Sequence, residues 1–322
     1  MNRKIIKSIC VRKHQALCES IEDPRVKELV QKNTIITGGA IPSMLAGEKV
    51  NDFDLYFTDL ETVKAVAEYY VHKFIVTKPL TDNDKTKTPR VVVDGDRVRI
   101  RVQSAGAVSE TTDTGQYQYF ERELGSGDEY VKQMMESLVT DGDDVDGTKL
   151  EGAADAKDKE GEKKKFRPIF LTDNSITLSD KIQLVIRFYG SPEEIHKNYD
   201  FVHCTNYWTS SENRLVLHVG ALESLITKQL FYIGSKYPLC SFVRMRKFIK
   251  KGWHINAGQI LKMSYQLSEL DLNNIEVLED QLTGVDTAYF VEMINHMKKE
   301  QAENPDFQLS MPYLVSLIDR IF

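Results

Sequence analysis

Apolar residues recur along this chain with two different periods, and the points where the period changes predict its elements. Residues 1–31 mix basic, acidic and apolar groups at the spacing of one or two short helices, with Pro24 near a helix start. Thr34-Ile35-Ile36-Thr37 reads as a short strand stopped by Gly38 and Gly39, and a helix follows from about Ala40 to Gly47 with Pro42 in its first turn. Residues 52–57, Asp-Phe-Asp-Leu-Tyr-Phe, alternate as a strand does, and residues 59–73 return to helical spacing at Val63, Val66, Ala67 and Tyr70. A second alternating run, 97–102, carries Arg97, Arg99 and Arg101 on one face and Val98, Ile100 and Val102 on the other.

Further on, 166–171 and 175–178 pattern as a hairpin turning through Asp173 and Asn174, and 181–189 forms the strongest strand of the chain. Ser191 and Glu194 make a capping box for a short helix. Residues 200–207 are expected to be another strand, with Cys204 buried in it and 214–219 as its antiparallel partner. Beyond Gly220 the spacing is helical nearly to the end, at 222–230, 240–251, 256–268, 274–282, 285–299 and 309–321. The expected fold class is therefore α+β, a mixed sheet with flanking helices over 1–219, followed by a helical domain over 220–322.

Composition alters this picture in one place. Residues 141–165 hold nine acidic groups and six lysines with almost nothing to bury, so this stretch cannot recover its ordering entropy. It is read as part of a long, partly disordered insertion at about 80–165. The net charge of −6 provides no global positive field, so a nucleic-acid partner would need a local basic surface. Cys10, Cys18, Cys204 and Cys240 lack zinc-site spacing and read as reduced thiols. No apolar run reaches the roughly 18 residues of a membrane span. The expected location is the cytoplasm, or the host cytoplasm if the source is a virus.

The candidate chemistry begins at Gly38-Gly39. Two glycines after a strand free the backbone to turn sharply, and the helix behind them aims unpaired N–H groups into the turn, where phosphate is the natural guest; a mere tight turn is the alternative. Asp52 and Asp54, two apart in a strand, face one side, and like charges so placed call for a cation between them. Mg²⁺ or Mn²⁺ suits carboxylate oxygens completed by substrate phosphates and water. Asp200 is the candidate third acid, provided that its strand lies beside the one holding Asp52 and Asp54. Lys197, Arg244, Lys247, Lys250 and Lys251 are candidate partners for a triphosphate or an RNA backbone. His203 and His218 read as packed rather than catalytic.

With these residues in view, the chain resembles the nucleotidyltransferase superfamily that includes DNA polymerase beta, and within it the head domain of CCA-adding enzymes and bacterial poly(A) polymerases. The matching segments are Gly38 to Gly47 with Asp52-Phe53-Asp54-Leu55, then Lys197-Asn198-Tyr199-Asp200-Phe201 with Asn206, and more loosely 242–248 with Gly252-Trp253. The resemblance implies a catalytic and metal-binding set of Asp52, Asp54 and Asp200. It also implies a phosphate-binding set of Gly38, Gly39, Ser43, Lys197, Arg244 and Lys247. The chain departs from the family at Pro42-Ser43, where an Arg-Asp pair is usual, and at Asn198-Tyr199, where paired arginines are usual.

The function so implied is metal-dependent transfer of an NMP from an NTP, ATP among them, to a hydroxyl, with release of pyrophosphate. The acceptor is an RNA 3′ end, a small molecule or a protein side chain. Two other readings stay open: a protein that keeps the fold and acts through a protein partner or its own copies, and a non-catalytic nucleic-acid-binding module whose basic stripe would join Arg97, Arg99 and Arg101 to Lys247 and Lys250.

Overall fold

Two helices open the chain. α1 (Arg3–Ser20) is capped by Asn2, whose side chain accepts from the Ile5 amide, and α2 (Pro24–Asn33) by Asp23, which accepts from the Arg25 and Val26 amides while Pro24 fills the first turn. In this computed structural model the described residues are 1–77, 88–101, 165–172 and 174–282, with Pro312 and Val315. They fall into two units. The first takes the described residues up to 195 together with 206–217; the second takes 196–205 and those from 218 onward. The predicted insertion beyond 101, Val102, Asp173 and the helices predicted at 285–299 and 309–321 lie outside the described residues, except that Lys165, Pro312 and Val315 fall within them.

The first unit is built on a seven-stranded mixed sheet. Its strands are β1 (Thr34–Thr37), β2 (Phe53–Phe57), β5 (Pro168–Leu171), β6 (Ser175–Leu178), β7 (Ile182–Tyr189), β8 (Tyr207–Thr209) and β9 (Arg214–Val216), in the order β5-β6-β7-β2-β1-β8-β9. β2 runs parallel to β7 and antiparallel to β1. Between β1 and β2 lies α3 (Ala40–Ala46), closed by Gly47 in the left-handed conformation. α4 (Leu60–Thr77) is started by Asp59, whose carboxylate accepts from the Thr62 amide at 2.8 Å. It buries Val63, Val66, Ala67, Tyr70, Val71 and Phe74, one continuous helical stripe. This is the α+β mixed sheet with flanking helices that the pattern predicts.

A separate hairpin, β3 (Arg90–Asp94) and β4 (Arg97–Arg101), packs on α4. Its first strand goes unpredicted, although Gly95-Asp96 between two alternating runs is a hairpin signal. Gly95 turns with φ +62°. After β7, α5 (Pro192–His196) carries the predicted capping box: Glu194 accepts from the Ser191 amide at 2.7 Å, and Ser191 Oγ accepts from the Glu194 amide.

The second unit holds a 3₁₀ turn (Val202–Thr205), α6 (Val219–Thr227), α7 (Pro238–Lys250), α8 (Ala257–Ser268) and α9 (Ile275–Leu282). β10 (Gln229–Leu230) and β11 (His254–Ile255) make a short parallel pair. Its core is aromatic: Phe201, Tyr232 and Trp253, with Leu230 and Met263, and Phe242 and Phe248 packed against them.

Two expectations are corrected here. Residues 200–207 do not form one strand; only Tyr207–Thr209 pairs in the sheet. Local bonds win over the ladder: the Asp200 carboxylate accepts from the next amide, Phe201 N, and the Thr205 hydroxyl donates to the Val202 carbonyl at 2.7 Å. Cys204 is consequently half-buried in a 3₁₀ turn and not buried in a strand. The apolar run 222–230 is likewise not one helix, because Lys228 adopts φ +49° and ends α6 at Thr227.

Candidate functional site

At the end of β1 the backbone turns through Gly38 with φ +83°, a conformation that disfavours a side chain. Space imposes the same choice. A Cβ at residue 38 would stand 2.5 Å from Oδ2 of Asp54, so glycine is what lets the carboxylate lie against the turn. Gly39, by contrast, has φ −70° and open space where a Cβ would be; it serves as the N-cap residue of α3. Ser43 is half-buried one turn along that helix, and its carbonyl accepts from the Gly47 amide.

Asp54 stands opposite Thr37 in the β1–β2 ladder. The Thr37 hydroxyl is fully buried and donates to the carbonyl of Asn206 at 3.0 Å, which fixes this end of β1 against the segment entering β8. Asp54 itself is half-buried, whereas Asp52 is exposed and precedes the strand, which begins at Phe53. On the other side of β2, parallel β7 sets Gln183 opposite Asp54, and the Gln183 amide donates to Ser175 Oγ at 3.1 Å. The sheet neighbours of β2 are thus β1 and β7, and no residue of 200–206 belongs to either, so the expectation of a third acid on an adjacent strand is corrected. Among the described residues no three His, Cys, Asp or Glu side chains stand close enough to hold a metal ion.

The second unit uses its own predicted site residues differently. Asp200 is buried; its Oδ2 accepts from Arg244 Nε of α7 at 2.5 Å, its Oδ1 from Phe201 N at 3.1 Å, and its carbonyl from Ile233 N at 2.8 Å. A carboxylate so occupied joins α7 to the chain ahead of the 3₁₀ turn. Lys197, just after α5, and Lys247, on α7, are exposed. His203 packs its ring against Trp253 at 4.4 Å and Phe248 at 4.6 Å. Burial pushes its pKa down to about 4, with the negative charge of Asp200 opposing the shift.

The structure therefore brings Gly38 to Asp54 in the first unit and Asp200 to Arg244 in the second. Thr37 and Gln183, the residues that flank Asp54 across the sheet, were not singled out from the sequence. Alternation marks both as facing the Asp54 side once the register is known, but a sequence alone does not supply the register.

Comparison with known proteins gives three findings. Among solved structures, the CCA-adding enzyme of Thermotoga maritima in complex with tRNA aligns over 92% of this chain and 56% of that one, at 11% identity and a TM-score of 0.35, too distant to bear on function. Among curated proteins, "Gabija anti-defense 2" of Bacillus phage SPbetaL7 is 24% identical over 107 residues, which is 33% of this chain and 27% of that protein. No helix among the described residues is long and apolar enough to cross a membrane. With the family model for Gabija anti-defense 2 proteins matching residues 9–228, the chain belongs to the Gabija anti-defense 2 family.

Proposed function

We propose that this chain is a phage anti-defence protein directed against Gabija, and that its first unit transfers a nucleoside monophosphate from an NTP to a hydroxyl acceptor. Family membership supports the first half of this reading. The second half is carried by one observation: Gly38 admits the Asp54 carboxylate to a position that any side chain at residue 38 would fill. A glycine kept for turn geometry alone needs no acid against it.

In the reaction the acceptor oxygen forms a bond to the α-phosphorus, the bond from that phosphorus to the bridging oxygen breaks, and pyrophosphate departs. The acceptor's proton passes to a carboxylate or to water. Asp52 and Asp54 would hold Mg²⁺ or Mn²⁺; two carboxylates suit an ion whose other ligands are substrate phosphate oxygens and water. An ion held by Asp52 and Asp54 would neutralise triphosphate charge and favour the in-line displacement. The turn at Gly38-Gly39 and the Ser43 hydroxyl supply donors for the phosphates. Asp200 has no part in this proposal, since its carboxylate already serves Arg244. Lys197 and Lys247 are exposed cations that would meet phosphate. The acceptor is an RNA 3′ end, a small molecule or a protein hydroxyl, met in the host cytoplasm.

A second reading is favoured by the Asp200–Arg244 pair: an acid that resembles a catalytic one has become structural, as in a protein that keeps the sheet and acts by binding a protein partner. Phage plating on a host carrying Gabija separates the two. With the transferase, expression of the wild-type chain restores plating, and Asp52→Asn with Asp54→Asn abolishes the rescue at equal protein level. Full rescue by the double variant would favour the binding protein.

A further inference from the structure

The β3–β4 hairpin has one apolar and one basic face, and the proposed transferase site uses neither. In antiparallel register Arg90 stands opposite Arg101, Val92 opposite Arg99 and Asp94 opposite Arg97, so these six side chains share one face. Val98 and Ile100, on the other face, are completely buried and anchor the hairpin. Four arginines against one aspartate make the shared face strongly positive in a chain whose net charge is −6.

The guanidinium groups of Arg99 and Arg101 are only partly satisfied. Arg97 reaches the Asn174 side-chain carbonyl at 3.1 Å, and Arg90 is exposed. Arg99 and Arg101 are half-buried; the Nε of each is withdrawn from solvent and has no hydrogen-bond partner. Neither has an ion pair among the described residues. A charged donor removed from water without an acceptor is costly, and arginines assembled in that state are suited to oxygens supplied by a ligand.

We propose that this face binds the phosphate backbone of a single-stranded nucleic acid. Alternate residues of a strand repeat every 6.8 Å or so, so Arg97, Arg99 and Arg101 form a ladder whose step matches successive phosphates of an extended strand. A lone phosphate would meet one rung only. The hairpin is two-stranded and anchored from behind by Val98 and Ile100, and Arg97, Arg99 and Arg101 each keep part of their surface exposed. This inference goes beyond the transferase reading and does not depend on it.

The test is anisotropy of fluorescent oligo(dT) and oligo(U) 12-mers titrated with the full chain, without NTP or divalent metal, from about 50 to about 200 mM salt. Engagement of three arginines is expected to give a slope of log K against log salt of about −2, at roughly 0.7 per phosphate. Arg99→Gln with Arg101→Gln is expected to weaken binding on the order of tenfold or more and to reduce the slope by about 1.4. Should that variant lose its fold, Arg90→Glu, at an exposed position, is expected to weaken binding severalfold while the thermal midpoint holds. Absence of binding at low salt would overturn the proposal, as would affinity unchanged in these variants. Equal affinity for polyglutamate of the same length would overturn it too, by assigning the face to an acidic protein surface.

Discussion

The first unit and the second each contain an aspartate that the sequence marks for chemistry, and the two settings are opposites. Asp54 lies against a glycine turn, half-open, with Thr37 and Gln183 beside it in the sheet. Asp200 is buried under an arginine and takes two backbone amides through its carboxylate and its carbonyl. The same residue type thus stands half-buried against a glycine turn in one unit and buried under an arginine in the other. The difference lies in what surrounds the carboxylate: a space held open by the missing Cβ of Gly38, or a ready-made counter-ion from α7.

That contrast is tested most severely at Arg244. Arg244→Ala leaves the Asp200 carboxylate buried and uncompensated, and the expected loss of stability is about 3–5 kcal/mol, read in urea unfolding followed by Trp fluorescence. Asp200→Asn, which keeps the shape and removes the charge, is expected to cost less. A loss under 1 kcal/mol for Arg244→Ala would mean that Asp200 is not held as described.

The aromatic core of the second unit gives the next largest effect. His203 titrates near 4 when folded and near 6.5 when unfolded, so between these values the unfolded chain binds more protons. Its contribution is fully present above pH 6.5 and is lost as the pH falls toward 4, on the order of 3 kcal/mol across that window. His203→Leu is expected to flatten the stability profile between pH 6.5 and 4. An unchanged slope would show that the imidazole is hydrated.

In the first unit, Gly38→Ala must place a methyl group on Asp54 at a positive φ, with an expected cost of about 1–3 kcal/mol and loss of any activity that uses Asp54. Gly39→Ala, with open space and φ −70°, is expected to be close to neutral. Equal effects at the two glycines would remove the special status of Gly38. The smallest effect is chemical. Cys10, Cys18 and Cys240 are buried, the first two with thiols pushed up to about 12, so in the native chain the half-buried Cys204 should react with a thiol reagent ahead of them, and all four on unfolding.

Much of the sheet was legible because its strands alternate and its helices carry caps: Asp59 before α4, Ser191 with Glu194 at α5, Gly47 after α3. The Gly38–Asp54 relation was legible as two motifs, although the distance between them was not. Asp200 misled because the apolar and aromatic residues after it pattern like a strand while its own side chain can bond the following amide; the choice was made by Phe201 and His203 packing into an aromatic core assembled from residues about 30 to 50 positions later. β3 was not legible as a strand, although the Gly95-Asp96 turn that follows it is a hairpin signal. The basic side of Arg97, Arg99 and Arg101 was legible, but the register that brings Arg90 beside Arg101 was not.

The central claim is that Asp52 and Asp54 serve nucleotidyl transfer, and pyrophosphate release measures it most directly. Each of the four NTPs is incubated with the chain and Mg²⁺ or Mn²⁺, with and without total RNA and a lysate of Gabija-carrying cells as sources of acceptor. Release from at least one NTP that disappears in Asp52→Ala with Asp54→Ala is the predicted result. Release equal in wild type and double variant under every condition would contradict it.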